Sequence, residues 1–158
     1  MKNRAYRNYI FDFYGTLVDI LTDEKDPVLW DKLGHLYQAY GAAYESETLK
    51  KAYAKRVDQA RKELIELKGV AYPEIDLAHI FNQLYVDARP QSSNSNQPED
   101  WGQLIAMVFR VLSRKHVTAY PHTKEVLAFL KEQGCRIYLL SNAQAAFTNA
   151  EIDLMALR

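Results

Sequence analysis

The first strongly apolar stretch of the chain runs Tyr9, Ile10, Phe11 and Phe13, with Asp12 as its one interruption. A run with so few polar breaks predicts a strand buried on both faces of a parallel sheet. Gly15 and Thr16 follow, so the chain turns sharply just past the acid. From residue 20 to residue 117 the spacing becomes helical and strand character disappears. Asp26 and Pro27 predict a first helix, Asp26 as its N-cap and Pro27 at its first position. Leu29, Trp30, Leu33, Leu36, Tyr37 and Tyr40 give it one apolar face, and Gly41 a stop. A second helix, capped by Ser46, carries Leu49, Tyr53, Val57, Ala60, Leu64 and Leu67 and ends at Gly69. The lysines and arginines between those positions read as a solvated face. Helices over 73–87 and 101–115 complete a set of four, separated by the polar stretch RPQSSNSNQPED over 89–100, which has nothing to bury. Trp30 and Trp101 read as core anchors of this helical module.

α/β character returns at Thr118. Val126, Leu127 and Leu130 mark a helix closed by Gly134, residues 136–141 a buried strand, and residues 143–150 the start of another helix. The order is strand, four helices, helix, strand, helix. It predicts an α/β fold in which a helical segment, 20–117, is inserted between two α/β parts.

Composition narrows the function classes. Twenty basic and twenty acidic residues cancel, so nothing in the charge balance draws the chain to nucleic acid or to an acidic membrane surface. No apolar run approaches the ~20 residues of a membrane span, and the N-terminus lacks a secretory leader's apolar region. The one cysteine, Cys135, permits no internal disulfide and reads as a small buried residue. A cytoplasmic setting fits this profile.

The candidate chemistry starts at Asp12. A carboxylate ending an apolar strand is costly to desolvate unless something pairs with it or uses it, and in open α/β sheets ligands sit at the carboxyl ends of strands. Asp12 and Thr16 also suit a role confined to hydrogen-bonding a tight turn. The string DFYGTLVD, residues 12–19, resembles the first motif of the haloacid dehalogenase superfamily of hydrolases, whose aspartate nucleophile follows a first strand. Ser141 and Asn142, closing the strand over 136–141, resemble its second motif. The resemblance implies a Rossmann-like parallel-sheet core over 1–19 and 118–158, an inserted α-helical cap over 20–117, a small 2-haloacid or related small-molecule substrate, and catalytic roles for Asp12, Tyr14, Ser141 and Asn142. It implies substrate-binding roles for Phe13, Gly15 and Thr16, whose turn N–H groups can bind developing negative charge. Asp19 is read as a turn or supporting residue.

Tyr14 bears on the subclass. Phosphatases of the superfamily usually place an aspartate two residues after the nucleophile, as general acid and base. The pattern D-x-Y-G-T-L resembles the dehalogenase branch instead, where the departing halide needs no proton and no cofactor is required. An arginine to receive the halide is not matched in the cap. The alternative is a magnesium-dependent phosphatase of small phosphorylated metabolites, with Mg2+ held by the Asp12 carboxylate and the Tyr14 carbonyl. The superfamily's later lysine and acidic motifs have no match: Lys124 and Lys131 precede the second motif, and Glu151 and Asp153 sit in a helical pattern. That implies an incomplete core at the C-terminus, a possible non-catalytic fragment, and self-association through exposed strand edges. His35, His79, His116 and His122 show no metal-ligand spacing.

Overall fold

The structure is a computed structural model that describes residues 6–89 and 98–157. In chain order its elements are β1 Asn8–Phe11, β2 Val18–Thr22, α1 Pro27–Ala39, α2 Ser46–Lys68, α3 Leu77–Ala88, α4 Trp101–Ser113, β3 Arg114–Ala119, α5 Thr123–Glu132, β4 Arg136–Leu139 and α6 Ala145–Leu154. They fall into two compact units, Met1–Thr22 with Arg114–Arg158, and Asp23–Ser113. Residues 90–97 of the polar stretch lie outside the described residues.

In the first unit β1 and β4 form a parallel pair and β2 and β3 an antiparallel one. The second pair corrects the expectation that strand character ends at Asp19. Val18 and Ile20 alternate with Asp19, and His116, Val117 and Thr118 supply the partner strand, so α4 stops at Ser113 rather than Lys115. β1 is also less enclosed than its composition suggests. Tyr9 and Phe11 are half-buried, while Ile10 is 65% exposed on the other face. With two strands and cover on one side, the sheet alternates as a half-buried strand does. Phe13, Leu17 and Val18 are the buried centre of this unit, packed by Phe11, Tyr14, Val117, Leu127, Ile152 and Met155. Thr123 ties the start of α5 to this centre, its hydroxyl donating to the Leu17 carbonyl at 2.9 Å.

The second unit is all helix. Asp26 caps α1 as its sequence predicts, accepting from the Val28 N–H, with Pro27 in the first turn. α2 is capped one residue earlier than expected, at Glu45. The Thr48 side chain accepts from the Glu45 N–H, and Gly69 ends the helix in the left-handed region. α3 begins at Leu77 rather than at residue 73, because Asp76 accepts from the His79 N–H and sets the cap there. Trp30 and Trp101 are buried; Tyr37 and Tyr85 pack on Trp101, Phe109 on Trp30 and Phe81 on Phe109, all edge-on or tilted. Each buried phenol needs a partner for its hydroxyl: Tyr37 donates to the Phe81 carbonyl and Tyr85 to the Tyr40 carbonyl, both at 2.8 Å. The basic face of α2 is solvated, as expected, with Lys62 on Asp58 and Arg56 on Asp87. No helix among the described residues is long and apolar enough to cross a membrane.

Candidate active site

Parallel pairing brings the two sequence motifs to one edge. Phe11 stands opposite Leu139, and the Leu140 N–H extends the ladder by donating to the Phe11 carbonyl at 2.9 Å. The residues that leave the sheet next are Asp12 from β1 and Ser141 with Asn142 from β4. Both departures are at the carboxyl ends of the strands, where ligands of such sheets bind. Asp12 and Asn142 are exposed and Ser141 is half-buried.

The turn past Asp12 is built on Phe13. Its ring is 1% exposed, and its carbonyl accepts the N–H groups of Thr16, Leu17 and Val18 at 3.3, 2.8 and 3.0 Å. Gly15 donates to the Val18 carbonyl at 2.8 Å with φ at 77°, a region that a side chain strains. Two expectations change. The Phe13 side chain is core and leaves only backbone to meet a substrate. The Gly15 and Thr16 N–H groups are committed inside the turn, to the Val18 and Phe13 carbonyls. Both Gly15 and Thr16 are nonetheless exposed.

Tyr14 is half-buried with its ring edge-on to Phe13, centroids 4.7 Å apart. Its hydroxyl donates to Glu151 Oε2, and Glu151 Oε1 accepts from an Arg114 guanidinium nitrogen at 3.0 Å. Glu151 is 2% exposed. A carboxylate so deeply buried is sustained by charge pairing and hydrogen bonds together, and here both are present. Sequence reasoning placed Glu151 on a helix and gave it no role. A signal was available: Phe147, Glu151 and Met155 recur every fourth residue, which puts the acid on the apolar face of α6. Arg114, first residue of β3, carried no such signal.

The histidines form local pairs, His116 with Asp19 across β2 and β3 at 3.0 Å and His122 with Glu125 at 2.7 Å. Among the described residues no three His, Cys, Asp or Glu side chains cluster as metal ligands do. A cavity of about 530 Å³ in the first unit is lined by Phe11, Phe13, Leu127 and Ile137, with Lys124 and Lys131 at its wall. Asp12, Tyr14, Ser141 and Asn142 do not line it.

The sequence profile of the haloacid dehalogenase-like hydrolases matches residues 6–157. The chain belongs to that family. No curated protein matches this haloacid dehalogenase-like hydrolase. Among solved structures it is similar to a dehalogenase, at 19% identity and a TM-score of 0.40 over 97% of this chain and 58% of that one. It is similar also to the L-2-haloacid dehalogenase from Xanthobacter autotrophicus, at 14% identity and 0.39, over 96% and 53%. A third is a predicted phosphoglycolate phosphatase from Haemophilus somnus 129pt, at 18% and 0.38, over 96% and 58%. The hydrolase described here thus spans little more than half the length of these structures.

Proposed function

We propose that this hydrolase works through Asp12 as a nucleophile on a small 2-haloacid or related small molecule. The observation that carries the proposal is the parallel register of β1 and β4, which delivers Asp12 and Ser141 to the same carboxyl edge. An Asp12 carboxylate oxygen attacks the halogen-bearing carbon. The carbon–halogen bond breaks, its electron pair leaves with the halide, and an ester joins Asp12 to the substrate. Water then adds at the ester carbonyl, the carboxylate is restored, a hydroxy acid departs, and a proton goes to solvent. Ser141 and Asn142 stabilise the developing charge, and Gly15 and Thr16 contact the substrate from the turn. The helical unit Asp23–Ser113 is assigned the role of the cap. The lone Cys135 fits a cytoplasmic setting.

Tyr14 favours dehalogenation over phosphate-ester hydrolysis. It stands where a phosphatase of the family carries its acid and base, and a phenol of ordinary pKa about 10 is a poor base at neutral pH. For magnesium, the described residues offer the Asp12 carboxylate and the Tyr14 carbonyl but no cluster of acidic side chains. That donor set falls short of a cage for the ion.

The test is release of halide from 2-haloacids, with and without EDTA, beside a panel of phosphate monoesters with and without magnesium. Halide release that EDTA leaves untouched, and that Asp12→Asn lowers by several powers of ten without unfolding the chain, is the expected result. Magnesium-dependent phosphate release, increased by Tyr14→Asp, establishes the phosphatase reading instead. Release of neither establishes a non-catalytic chain.

A further inference from the structure

We infer that Glu151, clamped by Arg114, is a positioning residue that holds the Tyr14 hydroxyl and withholds its proton from the departing group. The inference rests on Asp12 being the nucleophile. A phenol has one proton to donate, and that of Tyr14 goes to Glu151 Oε2. The other carboxylate oxygen is engaged by Arg114 at 3.0 Å, which fixes the carboxylate's plane. With Glu151 2% exposed, little water competes for either contact. The chain closes this bond between residues 137 positions apart, so it is a tertiary device rather than a local turn. Its effect falls two residues from Asp12. One edge of the Tyr14 ring is packed on Phe13 and the hydroxyl end is tethered to α6, so the ring has both ends fixed beside the nucleophile. A leaving group that departs as an anion loses nothing by this arrangement, whereas a leaving alkoxide finds the nearest phenolic proton already taken. Glu151 and Arg114 therefore act through Tyr14, on the orientation of the turn and on the class of leaving group the site accepts.

A double-mutant cycle in the full chain tests this, with Tyr14→Phe, Glu151→Gln and the double variant. It is read first by solution NMR and then by halide-release kinetics. The wild-type chain is expected to show a downfield, slowly exchanging hydroxyl proton that Tyr14→Phe abolishes. Each single variant is expected to lower kcat about tenfold with KM little changed, because the turn beside Asp12 is loosened. The double variant is expected to fall no further, because both changes remove one interaction. Arg114→Lys, which keeps the positive charge, is expected to retain most of kcat. Losses that multiply to about a hundredfold in the double variant, as for independent sites, overturn the inference, as does a wild type with no such hydroxyl proton. Should Glu151→Gln fail to fold, Tyr14→Phe decides alone, since it keeps the ring and the Arg114–Glu151 pair; undiminished kcat then overturns the role. A hydroxyl proton present with no halide release from any chain overturns the nucleophile reading instead, and the positioning role with it.

Discussion

Asp12 and Glu151 show why some residues were legible in the sequence and others were not. Asp12 broke an apolar run and preceded a glycine turn, so its desolvation cost was visible locally, while a use for it came only from the motif resemblance of residues 12–19. The use of Glu151 depends on Tyr14 and Arg114, 137 and 37 positions away, and no local pattern encodes that pairing. Burial of phenols gives a prediction at this same scale. Desolvation raises the pKa of Tyr37, and it raises those of Tyr53 and Tyr44. A pKa higher in the folded than in the unfolded chain adds stability that is fully present below the unfolded value, about 10, and is lost as pH climbs toward the folded ones. The helical unit is therefore expected to unfold in alkali with these tyrosines ionising in the same step, followed by phenolate absorbance and circular dichroism together. Smooth ionisation of every tyrosine near pH 10, with helicity intact, contradicts it.

Helices were the readable elements, because their caps and apolar spacing are local. α1 begins at the Asp26–Pro27 signal itself, and the α2 cap moved by one residue. The β2–β3 pair was missed for a physical reason: each strand is short and half polar, and what makes it a strand is a partner far along the chain. The helical spacing of Val111 and Leu112 ran on into Arg114 and Lys115 until that pairing cut it off. Helix packing yields its own prediction at Gly102. A Cβ there would lie 2.1 Å from the Ala78 carbonyl oxygen and 2.9 Å from its carbon, both backbone atoms of α3. Gly102→Ala must push α3 and α4 apart, at a cost of about 1–3 kcal/mol for overpacking. A melting temperature lowered by several degrees is the expected result, and an unchanged one removes the close approach from the account.

For the molecule as a whole, the α/β class and the motif order were legible, while the exposed outer face of β1, at Ile10, was not. Among the described residues each sheet has two strands. β1 and β4 thus leave outer edges unpaired, beside Ile10, Tyr138 and Leu140, all of them exposed. Edges of this kind recruit further strands unless charged or covered. The chain is expected to associate with concentration in sedimentation velocity, and Ile10→Lys to weaken that association; a strict monomer at every concentration contradicts the expectation. The central claim is the covalent step at Asp12, and one isotope measurement reaches it directly. Under single-turnover conditions with a 2-haloacid in heavy-oxygen water, water attacks the Asp12 ester carbonyl. Mass spectrometry of the peptide containing Asp12 should therefore find heavy oxygen in that carboxylate. Heavy oxygen in the hydroxy-acid product alone, with the Asp12 peptide unlabelled, would mean that water attacks the substrate directly and that Asp12 is not the nucleophile.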